Sequence, residues 1–198
     1  MLSSRQVLLT ASRGHPPQGG RMLFQRNGAP PLEGPPPGIR IEWRMSVYAL
    51  VHGQDGSILM VLPDFGNQWS LPGGKMEPEE TFPTVIRREG NEETGFEIRV
   101  LRDVPGQIIG EEFFLTRKGH WCHSIHIIFF AELTRNLQNL RRLNPETTGE
   151  RIRSVAWMKL KDLRDIDILP MFKEFLRRLK REAKIPETPA DPTSQPGP

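Results

Sequence analysis

Residues 73–96 read "GGKMEPEETFPTVIRREGNEETGF". Glycines open and close the stretch, and six glutamates lie between them. The segment "TFPTVIRREGNEETG" predicts a helix. Thr81 can cap its start, Pro83 is tolerated in the first turn, and Gly95 suits the C-terminal exit. On that helix Glu89, Glu92 and Glu93 stand at i, i+3 and i+4, so their carboxylates share one face. Like charges so spaced cost about 0.2–0.5 kcal/mol per pair. A solvated face explains a lone acidic pair well. It explains poorly three glutamates, a preceding Arg88 and flanking glycines. A hard divalent cation relieves the repulsion. Mg²⁺ takes oxygen ligands, keeps several waters and bridges to substrate phosphates.

Outward from the helix, the chain alternates strand and turn signals. "IEWRMSVYALVH" and "SILMVLP" read as two strands joined by "GQDG", so residues 41–62 are expected to form a hairpin. "FEIRVL", "GQIIGEEFFL", "HSIHIIFFAEL" and "IRSVAWMKL" read as further strands, the third long, apolar and central. A short helical turn is expected at "KDLRD". "ILPMFKEFLRRLKRE" spaces Leu169, Phe172, Phe175, Leu176 and Leu179 as one amphipathic face. Strands on both sides of one central helix, with a helix at the end, predict an α/β/α sandwich with a mixed β-sheet.

The 198 residues suffice for one domain with a sizeable core, and the net charge of +3 is too mild to argue nucleic-acid binding. One cysteine, Cys122, excludes an internal disulfide and a cysteine-rich zinc site. It fits a reducing, cytoplasmic setting and reads as an inert buried thiol. No apolar run approaches the roughly 20 residues that span a bilayer, so no membrane partner is expected. Residues 1–38 carry four arginines, one acid and the breakers "HPPQGG" and "GAPPLEGPPPG". They are expected to form a disordered tail, with a transit peptide as the rival reading. Residues 184–198 read as a second, Pro-rich tail, which leaves 39–183 as the folded domain.

The central stretch resembles the signature box of the Nudix hydrolases, G-x5-E-x7-R-E-U-x-E-E-x-G-U with U a bulky aliphatic residue. Gly74, Glu80, Arg88, Glu89, Glu92, Glu93 and Gly95 stand at its charged and glycine positions. The preceding "WSLPGG" and the later "SVAWMKLKDL" extend the likeness over most of residues 41–165. Two positions depart: Gly90 replaces the first aliphatic residue, and Phe96 is aromatic at the second. In a helix Gly90 should cost about 1 kcal/mol and lose a core anchor.

The resemblance implies hydrolysis of a diphosphate linked to another group. It implies that Glu89, Glu92 and Glu93, with the Gly73 carbonyl, bind Mg²⁺, with Mn²⁺ a substitute. Arg88 would orient the glutamates, Glu80 would assist, and Glu92 and Glu93 would share in the chemistry. A further glutamate from a loop is expected as base or extra ligand. Glu150 is the candidate, with Glu146, Glu111 and Glu112 as competitors. The substrate expected by elimination is a nucleoside triphosphate or related nucleotide, as for MutT-like enzymes, and a homodimer is compatible with this reading. A non-catalytic nucleotide sensor is the alternative. An isomerase of the isopentenyl diphosphate type would need a cysteine before the box, where none stands. His123 and His126, three apart on a strand, are expected to face opposite sides and not to pair at a metal.

Overall fold

The structure is a computed structural model and describes residues 23–26, 29–53, 55–64, 66–101, 105–116, 118–134 and 152–182. Its longest strand, β8 (Trp121–Leu133), is the spine of the main sheet. β3 (Glu42–Val51) runs parallel to it, in register from Glu42 opposite Cys122 to Val51 opposite Ala131. β7 (Gln107–Leu115) runs antiparallel on its other side, and β6 (Ile98–Val100) pairs with its far end. β5 (Gly73–Lys75) adds antiparallel to the outer edge of β3. The opposite edge is extended by β1 (Leu23–Arg26) and β2 (Ala29–Glu33).

The expected hairpin over 41–62 does not extend into a strand ladder: the chain reverses where Gly53 donates its N–H to the Ser57 carbonyl at 2.7 Å and His52 forms an antiparallel bridge with Ile58, at the start of β4 (Ser57–Pro63). β4 then pairs antiparallel with β9 (Ile152–Lys159) in a separate two-stranded sheet. The physical reason lies in the unbroken apolar run "ILMVL" of β4. Ile58 and Met60 join one core while Leu59 joins the other, so both faces of β4 are buried. A hairpin partner with one wet face would not need that composition.

Two cores flank the main sheet. Helix α1 (Phe82–Thr94) buries Val85 and Ile86 against Val47, Ala49 and Val51 of β3. Helix α2 (Pro170–Glu182) buries Phe172, Phe175 and Leu176 against Tyr48 and Leu50, which alternate to the other face. The result is the α/β/α arrangement with a mixed sheet. α2 is preceded by a 3₁₀ turn at Asp165–Asp167, which begins on the last residue of the expected "KDLRD" turn.

Residues 23–33 correct the expectation that 1–38 stays unpacked. β1 pairs parallel with β7, and Phe24 is fully buried. Its ring meets Phe113 edge-on at 5.4 Å and Trp121 at 4.8 Å. One aromatic anchor and the open edge of β7 hold a segment that composition alone reads as tail. The expected C-terminal tail at 184–198 lies outside the described residues.

Candidate active site

α1 begins where Thr81 donates its N–H to Thr84 Oγ1 at 2.8 Å, and ends where Gly95, at φ +71°, returns its N–H to Asn91 O at 2.9 Å. These caps set the helix over β5 with Glu89, Glu92 and Glu93 toward the glycine strand. Gly73 is required there. It sits at φ +139°, and a Cβ would lie 2.2 Å from the Val47 carbonyl oxygen. Its N–H donates to Glu93 Oε2 at 2.8 Å. A Cβ on Gly74 would lie 2.6 Å from Glu89 Oε1, so the Glu89 carboxylate rests directly on bare backbone.

Arg88 is the hub. Its Nε and Nη2 donate to the two oxygens of Glu80 at 2.7 and 2.9 Å, a bidentate pair. Nη1 donates to Glu89 Oε1 at 2.7 Å and to Glu92 Oε2 at 3.1 Å. Nη2 also donates to the Lys75 carbonyl of β5 at 3.1 Å. A guanidinium has five N–H donors, and these five bonds use them all. Arg88 therefore positions carboxylates and holds α1 to β5, with no donor left over for a phosphate. The Arg88 pair holds the Glu80 carboxyl at about 2, well below the ordinary carboxylate range. The same bonds push the Arg88 guanidinium still higher.

Four carboxylates gather around one guanidinium, and Glu89 and Glu93 are only 5% and 7% exposed. The donor set is all oxygen, which is the chemistry of a hard cation. Among the described residues no group of three His, Cys, Asp or Glu side chains is arranged to hold a metal ion.

The expected residues fall into three groups. Gly73, Glu80, Arg88, Glu89, Glu92 and Glu93 are brought together. Glu150 and Glu146 lie outside the described residues. Glu111 and Glu112 sit on β7: Glu111 Oε2 is 2.6 Å from His123 Nε2, and Glu112 Oε2 is 3.7 Å from His126 Nε2. The two histidines do face opposite sides. His123 stacks on Phe113 and meets Trp43 at a tilt, each at 4.1 Å, and His126 lies 6.0 Å from the Tyr48 ring. Cys122 is buried, and burial pushes its thiol up. Trp69 packs on the α2 core, its backbone bonded to Asp167 and Leu169.

Gly90 has a reason that spacing alone did not reveal. A Cβ there would lie 2.8 Å from Ile98 Cδ1 and 3.1 Å from Ile98 Cβ. Ile98 of β6 fills the place that an aliphatic side chain of the helix would take.

A family model described as the NUDIX domain matches residues 42–182. The chain is 28% identical over 104 residues to a nucleoside triphosphatase NudI of Enterobacter sp. (strain 638), covering 52% of this chain and 70% of that protein. It is 26% identical over 130 residues to a NudI of Escherichia fergusonii, covering 63% and 88%. Among solved structures, a MutT protein from Methanosarcina mazei Go1 superposes with a TM-score of 0.52 at 24% identity. The match covers 75% of this chain and all of that one.

Proposed function

The chain belongs to the NUDIX family, and on that footing we propose that it hydrolyses a nucleoside triphosphate or a related diphosphate-linked nucleotide, with water attacking phosphorus in a Mg²⁺-dependent reaction. The observation that carries the reading is the acidic face of α1, gathered by Arg88 and laid against Gly73 and Gly74. The names of the NudI relatives support a nucleoside triphosphate as substrate class.

Glu89, Glu92 and Glu93, with the Gly73 carbonyl, would hold the cation. When bound, Mg²⁺ lowers the pKa of a coordinated water and neutralises charge on the phosphates. The chain's own part is positioning. Arg88 and Glu80 keep Glu89 and Glu92 from splaying apart before substrate arrives, and the Gly73 N–H fixes Glu93. Phosphoryl transfer needs chiefly such positioning and charge stabilisation, so no covalent nucleophile is required. Glu92, 37% exposed, is the carboxylate of the three most open to water, and Glu150, outside the described residues, is the proposed base.

The test is a nucleotide panel with Mg²⁺, read by product identity, for wild type, Glu92→Gln and Glu93→Gln. EDTA should abolish turnover, and Mg²⁺ or Mn²⁺ should restore it. Each substitution should lower the rate about a hundredfold, close to 3 kcal/mol of barrier. Full turnover in chelator, or near-normal rates in both variants at saturating Mg²⁺, would sink the proposal.

A further inference from the structure

The face of the main sheet that α1 packs on extends past the helix. α1 takes Val47, Ala49 and Val51 of β3 into its core, but Trp43 and Met45, which alternate onto the same face, belong to neither core. Trp43 is 69% and Met45 36% exposed. His123 and Ile125 of β8 stand opposite them in the ladder, and Phe113 and Glu111 of β7 stand opposite those. These residues form one continuous patch across three strands. Its rings run in contact from Phe113 through His123 to Trp43. The Glu111 carboxylate stands beside them, 62% exposed, with one oxygen 2.6 Å from His123 Nε2. A contiguous apolar patch with a polar rim marks a docking surface, where isolated exposed side chains would not. An open indole next to a carboxylate selects a cation carried among apolar side chains. The ring attracts a guanidinium through its quadrupole, and the carboxylate accepts its hydrogen bonds.

We propose that the patch is the docking site of this chain's own residues 1–22, which lie outside the described residues. Val7, Leu8 and Leu9 cover Trp43 and Met45, and a flanking arginine, Arg5 or Arg13, meets Glu111. Charge favours this occupant. Residues 1–22 carry Arg5, Arg13 and Arg21 and no Asp or Glu, and their longest apolar run is "VLL". The point of entry favours it as well. β1 runs parallel to β7 with Gln25 opposite Phe114, so Leu23 starts level with Glu112, next to Glu111. Phe24 already lies on this face, against Phe113 and Trp121. The chain that precedes Leu23 therefore reaches the sheet at the edge of the patch. Reach is sufficient. From β1 to β3 is three strand spacings, about 14 Å, which an extended chain covers in about five residues. Residues 10–22 more than span that distance. The docking is independent of the hydrolytic reading above, because no residue of the patch belongs to the acidic face of α1.

The experiment is acrylamide quenching of tryptophan fluorescence in the full chain, with Trp43→Phe measured alongside each variant so that the difference isolates Trp43. Leu8→Asp should make Trp43 about threefold more accessible to the quencher than it is in wild type. Arg5→Glu combined with Arg13→Glu should do the same, and both changes leave β1 untouched. Glu111→Gln, which keeps a hydrogen-bonding partner for His123, should open Trp43 as well and tests the other side of the contact. Each measurement is repeated over a wide range of protein concentration. Trp43 as accessible in wild type as in Leu8→Asp and the arginine double variant would overturn the proposal. Protection of Trp43 that grows with protein concentration would also overturn it, because the cover would then be a second copy of the chain.

Discussion

A single missing methyl group decides how α1 meets the sheet. Gly90 is buried in the middle of the helix, where glycine is about 1 kcal/mol worse than alanine. On helix propensity alone, Gly90→Ala should stabilise the protein. The geometry reverses that sign. The new Cβ would press on Ile98 down to its own Cβ, which cannot move without its backbone. Overpacking of this kind costs about 1–3 kcal/mol. Gly90→Ala should therefore lower the thermal midpoint, and Ile98→Val in the same chain, by removing Cδ1, should restore part of the loss. A raised midpoint in the single variant would show that β6 yields more easily than its packing implies.

At the scale of the element, α1 is tied to the loop before it by Glu80. The Glu80 carboxylate takes two bonds from Arg88 and a third from the Glu77 N–H at 2.9 Å. Its folded pKa, about 2, lies below the ordinary carboxylate value near 4.3. A group so depressed stabilises the fold fully above the ordinary value, and that contribution is lost as pH falls through about 2. Melting temperatures of wild type should therefore drop more steeply between about pH 4.5 and pH 2 than those of Glu80→Gln, and the two curves should converge at the acid end. Parallel curves across that window would mean that the pair contributes nothing to folding.

At the scale of the molecule, β1 enlarges the domain beyond the boundary that composition suggests. A chain begun at Ile39 would lack Phe24 and bare the rings of Phe113 and Trp121 together with the edge of β7. Loss of a buried phenylalanine typically costs about 3–5 kcal/mol. The shortened chain should unfold several degrees below the full one, by calorimetry at equal concentration, while the acidic face of α1 stays intact. Equal midpoints would return residues 23–38 to the status of a dispensable tail.

What local chemistry writes into a sequence was legible here without a structure. The period of α1, its caps, the three carboxylates on one face, the amphipathic stripe of α2 and the apolar centre of β8 all follow from residue spacing, because each depends on neighbours within a few positions. The pairing of β4 with β9 instead of β3, the docking of β1 and the fit of Gly90 under Ile98 could not be read that way. Each joins residues far apart in the chain, and its energy comes from surfaces that exist only once the sheet has formed. Arg88 stands between the two cases. Its place beside the glutamates is local. That all five of its donors are committed, one of them to the Lys75 carbonyl of β5, was decided by the tertiary fold, because only packing α1 against β5 brings that carbonyl within reach.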